Sequence, residues 1–238
     1  LASKIIPLLP QHTCYVEPFG GAMGVLLRKQ PSKFEVYNDL DGEVVNFFRQ
    51  LREHPDNLIR AIELTPYSRE EQILAFESTG DLSELERARR LYVRCWQSHG
   101  GGRTQWKSGW RYQINDNRGK AITSDWNNVA RLWQIVLRLK NVQIENDDAI
   151  HVLQRFDGED TLFYIDPPYL ASTRSIRWRT KAYIYEIDDD YHRRLADTIW
   201  NLKGMAVISG KPSPLYEDLF QGWKKIQYTV PTDFNSMT

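Results

Sequence analysis

The chain has 238 residues, 26% charged and 41% hydrophobic, with Lys+Arg and Asp+Glu equal at 31 each. Such a composition supports a buried core and excludes a disordered chain, and the balanced charge points to no polyanion partner at the level of the whole molecule. Cys14 and Cys95 cannot build a disulfide framework, no Cys/His group has zinc spacing, and no apolar run reaches the roughly 18 residues of a spanning helix. A cytoplasmic, reducing setting with no membrane, no metal and no signal peptide is the expectation.

In chain order, the first strand-length apolar run is Cys14–Val16. It leads into Glu17-Pro18-Phe19-Gly20-Gly21-Ala22-Met23-Gly24 and a helical pattern over Ala22–Lys29. A strand, a Gly-rich turn and a helix let backbone approach a ligand and aim N–H groups at it. The spacing is not GxGxxG, and a Gly pair after a strand also serves as plain turn chemistry. The second strand, Phe34–Tyr37, ends at Asn38-Asp39 before a helical pattern over Gly42–Arg52. Asp39 lies 22 residues beyond Glu17, near the spacing of about 20 at which a strand-tip acid meets ribose hydroxyls. Capping the next helix is the competing role, and Asp41 can serve it instead.

Residues 55–140 break the alternation and read as helices with a Gly-rich break at Gly100–Gly102. Arg52–Glu86 holds three Arg and nine acids, whereas Arg87–Lys140 holds twelve Lys/Arg and two acids. The basic stretch also carries Trp96, Trp106, Trp110, Trp126 and Trp133. Basic residues interleaved with aromatics can hold phosphates and stack on bases. A solvated basic helix over a Trp-lined core has the same composition.

The third strand, Val142–Glu145, ends at Asn146-Asp147-Asp148. Asp148 there can accept an adenine amine or cap the helical pattern over Asp147–Gln154. The fourth strand, Thr161–Ile165, ends in Asp166-Pro167-Pro168-Tyr169. Two prolines remove two N–H donors and enforce extended or turn geometry, so the Asp166 and Pro167 carbonyls stay out of a helix start. A carboxylate, a carbonyl and an aromatic face together suit a planar ligand with an amino group. The two acceptors take its N–H bonds and Tyr169 stacks on its ring. A rigid turn over a buried Tyr is the bland alternative. Leu170–Ile187 then brings Arg174, Arg177, Arg179, Lys181 and Trp178. A helical pattern over Asp188–Leu202 and strands at Met205–Ser209 and Lys225–Val230 follow. Strands alternating with helices predict an α/β fold with a mostly parallel sheet, its strand tips meeting at one crevice.

Five segments carry a resemblance: Tyr15-Val16-Glu17-Pro18-Phe19-Gly20-Gly21, Asn38-Asp39, Ile144-Glu145-Asn146-Asp147-Asp148, Asp166-Pro167-Pro168-Tyr169 and Val207-Ile208-Ser209-Gly210. On these the chain resembles the Dam-like (D12 class) adenine-specific DNA methyltransferases. The order of cofactor loop, long insert and tetrapeptide resembles their alpha group. The resemblance implies a Rossmann-like S-adenosylmethionine-dependent methyltransferase sheet in residues 1–54 and 141–238. It implies a mainly helical target-recognition domain inserted at 55–140. Cofactor contacts are implied at Glu17, Phe19, Gly20, Gly21, Asp39, Asp148 and Asp166, and catalysis at Asp166, Pro167, Pro168 and Tyr169. DNA contacts are expected from Arg174, Arg177, Arg179 and Lys181, with Arg103, Arg111 and Arg118 as the candidates in the insert. Such enzymes usually open with a Gly-Gly-Lys motif that Lys4 is not placed to supply, and a further hairpin strand is expected after Thr238; incomplete ends are the expectation.

The implied reaction moves a methyl group from S-adenosylmethionine to the N6 amine of an adenine flipped out of double-stranded DNA. Hydrogen bonds from the amine to Asp166 and the Pro167 carbonyl orient its lone pair, so catalysis is mostly positioning and electrostatics. A bacterial or phage restriction-modification setting is the expectation. The alternatives are an inert nucleic-acid-binding module of the same fold, and a methyltransferase acting on RNA or a protein amide. The intact tetrapeptide opposes the first, and the basic insert opposes a protein substrate. A nicotinamide oxidoreductase is opposed by the absent GxGxxG.

Overall fold

The computed structural model describes residues 2–77, 81–99, 108–114, 121–174 and 183–228. Five strands, β1 Cys14–Glu17, β2 Phe34–Asn38, β3 Val142–Glu145, β4 Thr161–Ile165 and β5 Met205–Ile208, form one sheet in the order β3-β2-β1-β4-β5. Every pairing is parallel. A central parallel strand is covered on both faces, so it reads as an unbroken apolar run, as in the fully buried β4. The expected strand Lys225–Val230 is not in the sheet over its described residues 225–228.

The helices are α1 Ala2–Ile5, α2 Gly42–Glu53, α3 Pro55–Glu63, α4 Arg69–Leu74, α5 Glu84–Gln97, α6 Ile122–Asn127, α7 Arg131–Leu139, α8 Ala149–Arg155, α9 Asp189–Trp200 and α10 Pro214–Leu219. The helix expected over Ala22–Lys29 is instead a run of turns. Gly21 (φ 51°) and Met23 (φ 57°) sit in the left-handed region there, which interrupts the helical hydrogen-bond ladder.

Side chains alternate across the sheet. Tyr15, Tyr37, Leu162 and Tyr164 join one core with residues of α2, α3, α5 and α7. Val16, Val36, Phe163 and Ile165 join a second with α8 and α9. Residues 55–140 therefore extend the sheet's own core: Leu58, Ile62, Leu91, Tyr92 and Val136 belong to the cluster that holds Tyr15 and Tyr37.

The segregated charges of this stretch meet in space. Arg87 pairs with Glu43, Arg89 with Glu71 and Glu86, and Arg90 with Glu86. Arg138 reaches back to the buried Glu35, which Lys29 also holds at 2.7 Å. Trp126 is 3% exposed and donates to the Thr65 carbonyl at 3.1 Å. The Trp96 ring lies 3.9 Å from the Arg131 guanidinium, and Trp110 packs on Tyr67. In its described part, Arg87, Arg89, Arg90 and Arg138 of the basic stretch are held by carboxylates, and Trp96, Trp110 and Trp126 pack against other side chains of the fold. Trp133 remains 41% exposed. Trp106 and the basic residues Arg103, Lys107, Arg118 and Lys120 lie outside the described residues.

One buried amide joins three strand tips. Asn38 is 1% exposed; its Nδ2 donates to the Pro18 carbonyl (2.8 Å) and the Asp147 carbonyl (3.0 Å), and its Oδ1 accepts from the Asp147 amide (2.9 Å). Asn38→Ala leaves these backbone groups without partners. At about 1–3 kcal/mol for each buried group left unmade, the variant should lose about 2–4 kcal/mol in urea unfolding. An unchanged midpoint would show that the tips are held by other contacts.

Candidate active site

The strand order reverses between β1 and β4, the place where an open α/β sheet forms its ligand crevice. The sequence puts Glu17 at the tip of β1 and Asp166 just past the tip of β4. The period of two places Glu17 on the face of Tyr15, and Asp166 on that of Tyr164. Both are therefore on the side that carries α2, α3, α5 and α7.

Glu17 is 2% exposed and accepts from the Tyr15 hydroxyl (2.8 Å) and the Leu26 amide (2.7 Å), both at Oε1. Burial pushes its carboxyl up to about 7; those two bonds pull the other way, and the Asp166 charge adds to the rise. Asp166 is pushed up to about 6, again by burial, with the Tyr169 and Tyr164 hydroxyls drawing it back toward its ordinary range. Its Oδ1 is shielded from solvent and has no hydrogen-bond partner among the described residues. Tyr164 also meets the Ser209 hydroxyl at 2.9 Å, and Tyr216 feels the Asp166 charge. The tetrapeptide thus presents one open carboxylate oxygen inside a wall of phenols. The sequence argument gave Tyr169 a ring face only; its hydroxyl at Asp166 is a feature that only the fold reveals.

Behind this wall stands His192 of α9, a residue for which the sequence offered no signal. It is 2% exposed, its Nδ1 lies 3.1 Å from the Tyr216 hydroxyl, and the Pro168 carbonyl faces the ring. Burial lowers its pKa and favours neutral imidazole.

The glycine loop folds onto β2. A Cβ on Gly20 would sit 2.0 Å from the Tyr37 ring, and the Tyr37 hydroxyl donates to the Gly21 carbonyl at 2.7 Å. The Gly21 amide, expected to face a ligand, donates to Asp39 Oδ2 at 2.8 Å. Asp39 Oδ1 accepts from the Asp41 amide at 2.9 Å, while Asp41 caps α2. Asp39 is therefore an acceptor held by two backbone amides at the tip of β2. Asp148 does cap α8, and it also accepts from the Tyr191 hydroxyl at 3.0 Å. Phe19 packs at the edge of the α8–α9 core.

The expected DNA contacts fare differently. Arg111 is half-buried, its backbone bonded to Gln97 and to the Tyr67 hydroxyl. Arg174 is 8% exposed and points inward, which corrects its placement on an open phosphate-binding face. Its Nε donates to the Tyr169 carbonyl at 2.7 Å, its Nη1 pairs with Glu186 at 2.8 Å, and its guanidinium lies over Tyr183. Arg103, Arg118, Arg177, Arg179 and Lys181 lie outside the described residues. Among the described residues no His/Cys/Asp/Glu group could hold a metal ion, and no helix is long and apolar enough to cross a membrane.

The profile of the D12 class N6 adenine-specific DNA methyltransferases matches residues 1–229. The chain belongs to this family. It is also similar to the Type II methyltransferase M1.LlaDCHI of Lactococcus lactis subsp. cremoris, 27% identical over 240 residues that span 93% of this chain and 81% of the relative. This D12 class methyltransferase thus has DNA as its substrate and the adenine N6 amine as its target. The five parallel strands carry the Rossmann-like sheet of such an enzyme.

Both raised carboxyls have a consequence for stability. A folded-state pKa above the unfolded value stabilises the protonated fold, fully so below about pH 4, and that stabilisation is lost as pH rises through about 6 for Asp166 and about 7 for Glu17. Glu17→Gln keeps the acceptor oxygen for Tyr15 and Leu26 but removes the buried charge. Its unfolding free energy in urea should match that of the parent at pH 4.5 and exceed it at pH 8, by about 1–3 kcal/mol. Parallel curves across that range would show that the Glu17 carboxyl titrates normally.

Proposed function

We propose that this enzyme takes its methyl group from S-adenosylmethionine at the β1/β4 switch point and accepts an adenine flipped out of double-stranded DNA at Asp166–Tyr169. The observation that carries the proposal is the shielded, unpartnered Asp166 Oδ1 beside Tyr169, at the crevice of a parallel sheet. When bound, the cofactor supplies an electrophilic methyl group. The donor set suits it: Glu17, Asp39, Asp148 and Asp166 line the tips of β1, β2, β3 and β4, and ribose hydroxyls and amines need acceptors. Asp39, oriented by Gly21 and Asp41, serves the ribose; Asp148 serves the adenine edge; Gly20, Gly21, Phe19 and Glu17 shape the loop that holds the rest.

Asp166 Oδ1 then takes an N–H bond from the target amine, with the Pro167 carbonyl as the second acceptor, and the lone pair turns toward the methyl carbon. Ionised Asp166 favours the developing positive charge on nitrogen, and it is the nearest acceptor for the proton that the methylated amine sheds. Tyr169 replaces the stacking lost on flipping, worth about 1–3 kcal/mol per base. Duplex DNA lies along the carboxyl edge of the sheet, with Arg177, Arg179 and Lys181 of the 170–187 segment and Arg103, Arg111 and Arg118 of the 55–140 segment as its contacts. The Type II designation of the Lactococcus relative supports a restriction-modification setting in a bacterium or phage.

The test is transfer of labelled methyl from S-adenosylmethionine to a duplex, followed by mapping of N6-methyladenine. Asp166→Ala should abolish transfer while the folded protein still binds DNA; Asp166→Asn should retain a trace. With parent enzyme, the single-turnover rate should fall as pH drops through about 6, because the acceptor becomes protonated. Tyr169→Phe keeps the ring but removes a hydroxyl that stabilises the carboxylate, so this acid limb should move up by about one pH unit. Near-parental transfer by Asp166→Ala would overturn the proposal, and an unmoved limb in Tyr169→Phe would confine that residue to stacking.

A further inference from the structure

We infer that Arg174 is a positioning residue for the target-base pocket, acting through the backbone of Tyr169 rather than through a DNA phosphate. The inference rests on the placement of the flipped base at Asp166–Tyr169 given above. The guanidinium is an unusual expenditure for a fold this size: a charged side chain 8% exposed, five residues after the tetrapeptide, with each edge occupied. Its Nε and Nη2 both donate to the Tyr169 carbonyl, the former at 2.7 Å. Its Nη1 reaches Glu186 at 2.8 Å, and its plane lies 4.8 Å from the centre of the Tyr183 ring. Glu186 in turn accepts from the Tyr183 amide at 2.9 Å. The two ends of the 174–186 stretch are thereby clasped together directly over the Tyr169 carbonyl.

The chemistry favours this role over phosphate contact. A buried Arg that has lost its water needs partners for its donors, and the carbonyl and the carboxylate supply them. Tyr169 follows two prolines, so its own carbonyl is the first acceptor after the motif with rotational freedom that the rings do not remove. Fixing that carbonyl fixes the Cα of Tyr169, and with it the direction of the ring and of the hydroxyl that meets Asp166. A guanidinium grips one acceptor with two adjacent N–H groups while a third pairs with Glu186. An ammonium lacks this planar fork.

The test compares Arg174→Gln, Arg174→Lys and Glu186→Gln in the full chain, with urea unfolding as the control for folding. Single-turnover methylation at saturating duplex reads positioning, a fluorescent adenine analogue at the target reads base capture, and DNA affinity from low to high salt reads phosphate contact. Arg174→Gln should lower the saturated rate by about tenfold or more, with the slope of DNA affinity against salt unchanged. Arg174→Lys should recover part of the rate, and Glu186→Gln should fall between parent and Arg174→Gln. If Arg174→Gln fails to fold, Arg174→Lys, which keeps the charge, and Glu186→Gln, which keeps an acceptor oxygen, carry the comparison. A salt slope reduced by about one, with the saturated rate intact, would make Arg174 a phosphate contact and overturn the inference. So would rates and slopes that none of the variants changes. Where affinity and rate fall together, an unchanged slope supports the inference and a reduced one overturns it. Asp166→Ala in the same assay separates the two levels: if it still transfers methyl, the site placement fails; if it does not and Arg174→Gln does at the parental rate, only the role of Arg174 fails.

Discussion

The architecture of the site depends on the amide of Asn38. Parallel strands present their carboxyl tips to one edge of the sheet, but each tip ends in carbonyls and amides that the ladder no longer pairs. Asn38 satisfies three such groups at once, the Pro18 carbonyl and both backbone groups of Asp147, from a position with 1% exposure. Asn146 extends the seam by donating to the carbonyls of Asp39 and Leu40. The glycine loop, Asp39 and the Asp147-Asp148 turn are therefore one hydrogen-bonded unit. Buried polar groups are costly unless every member is paired, which makes this unit rigid.

On the other side of the switch point, rigidity comes from phenols and one ion pair. Tyr164, Tyr169 and Tyr216 surround Asp166, His192 backs the Pro168 carbonyl, and Arg174 with Glu186 closes over Tyr169. Hydroxyls can stabilise a carboxylate without adding a full charge. Burial can then raise the pKa of Asp166 only to about 6, so the group is ionised near neutrality and still poorly hydrated. Asp166 is the stronger acid of the buried pair, and its charge is one reason that Glu17 rises to about 7. Both carboxyls at these neighbouring tips are raised by burial, Glu17 the further of the two.

The helices of residues 55–140 show how composition misleads when charges are counted along the chain. Arg89 and Arg90 of the basic stretch pair with Glu71 and Glu86 of the acid-rich one, Arg87 reaches Glu43 of α2, and Trp126 goes into the core with Tyr67 and Tyr92 while Trp133 stays exposed. The Arg87 pair is exposed and contributes little, whereas Arg89 and Arg90 are largely covered, and in all three the guanidinium already has a carboxylate partner.

The sequence by itself determined the parts that obey local rules. Short apolar runs marked all five strands, most plainly β4, which is covered on both faces and buried along its whole length, but they also marked Lys225–Val230, which is not in the sheet over its described residues. Asp41 was legible as the cap that leaves Asp39 at the strand tip, and two prolines after Asp166 marked the motif because nothing else stops a helix so early. Tertiary structure alone decided the rest. The Ala22–Lys29 helix gave way to turns because Tyr37, from another strand, occupies the space over Gly20 and binds Gly21. Arg174 turned inward because the Tyr169 carbonyl and Glu186, five residues before it and twelve after it, converge where it lies. Asn38 and His192 carry no local pattern, since their partners are up to 109 residues away in the chain. Periodicity and turn chemistry depend on neighbours in sequence; the satisfaction of a buried polar group depends on neighbours in space, and these exist only once the sheet has closed.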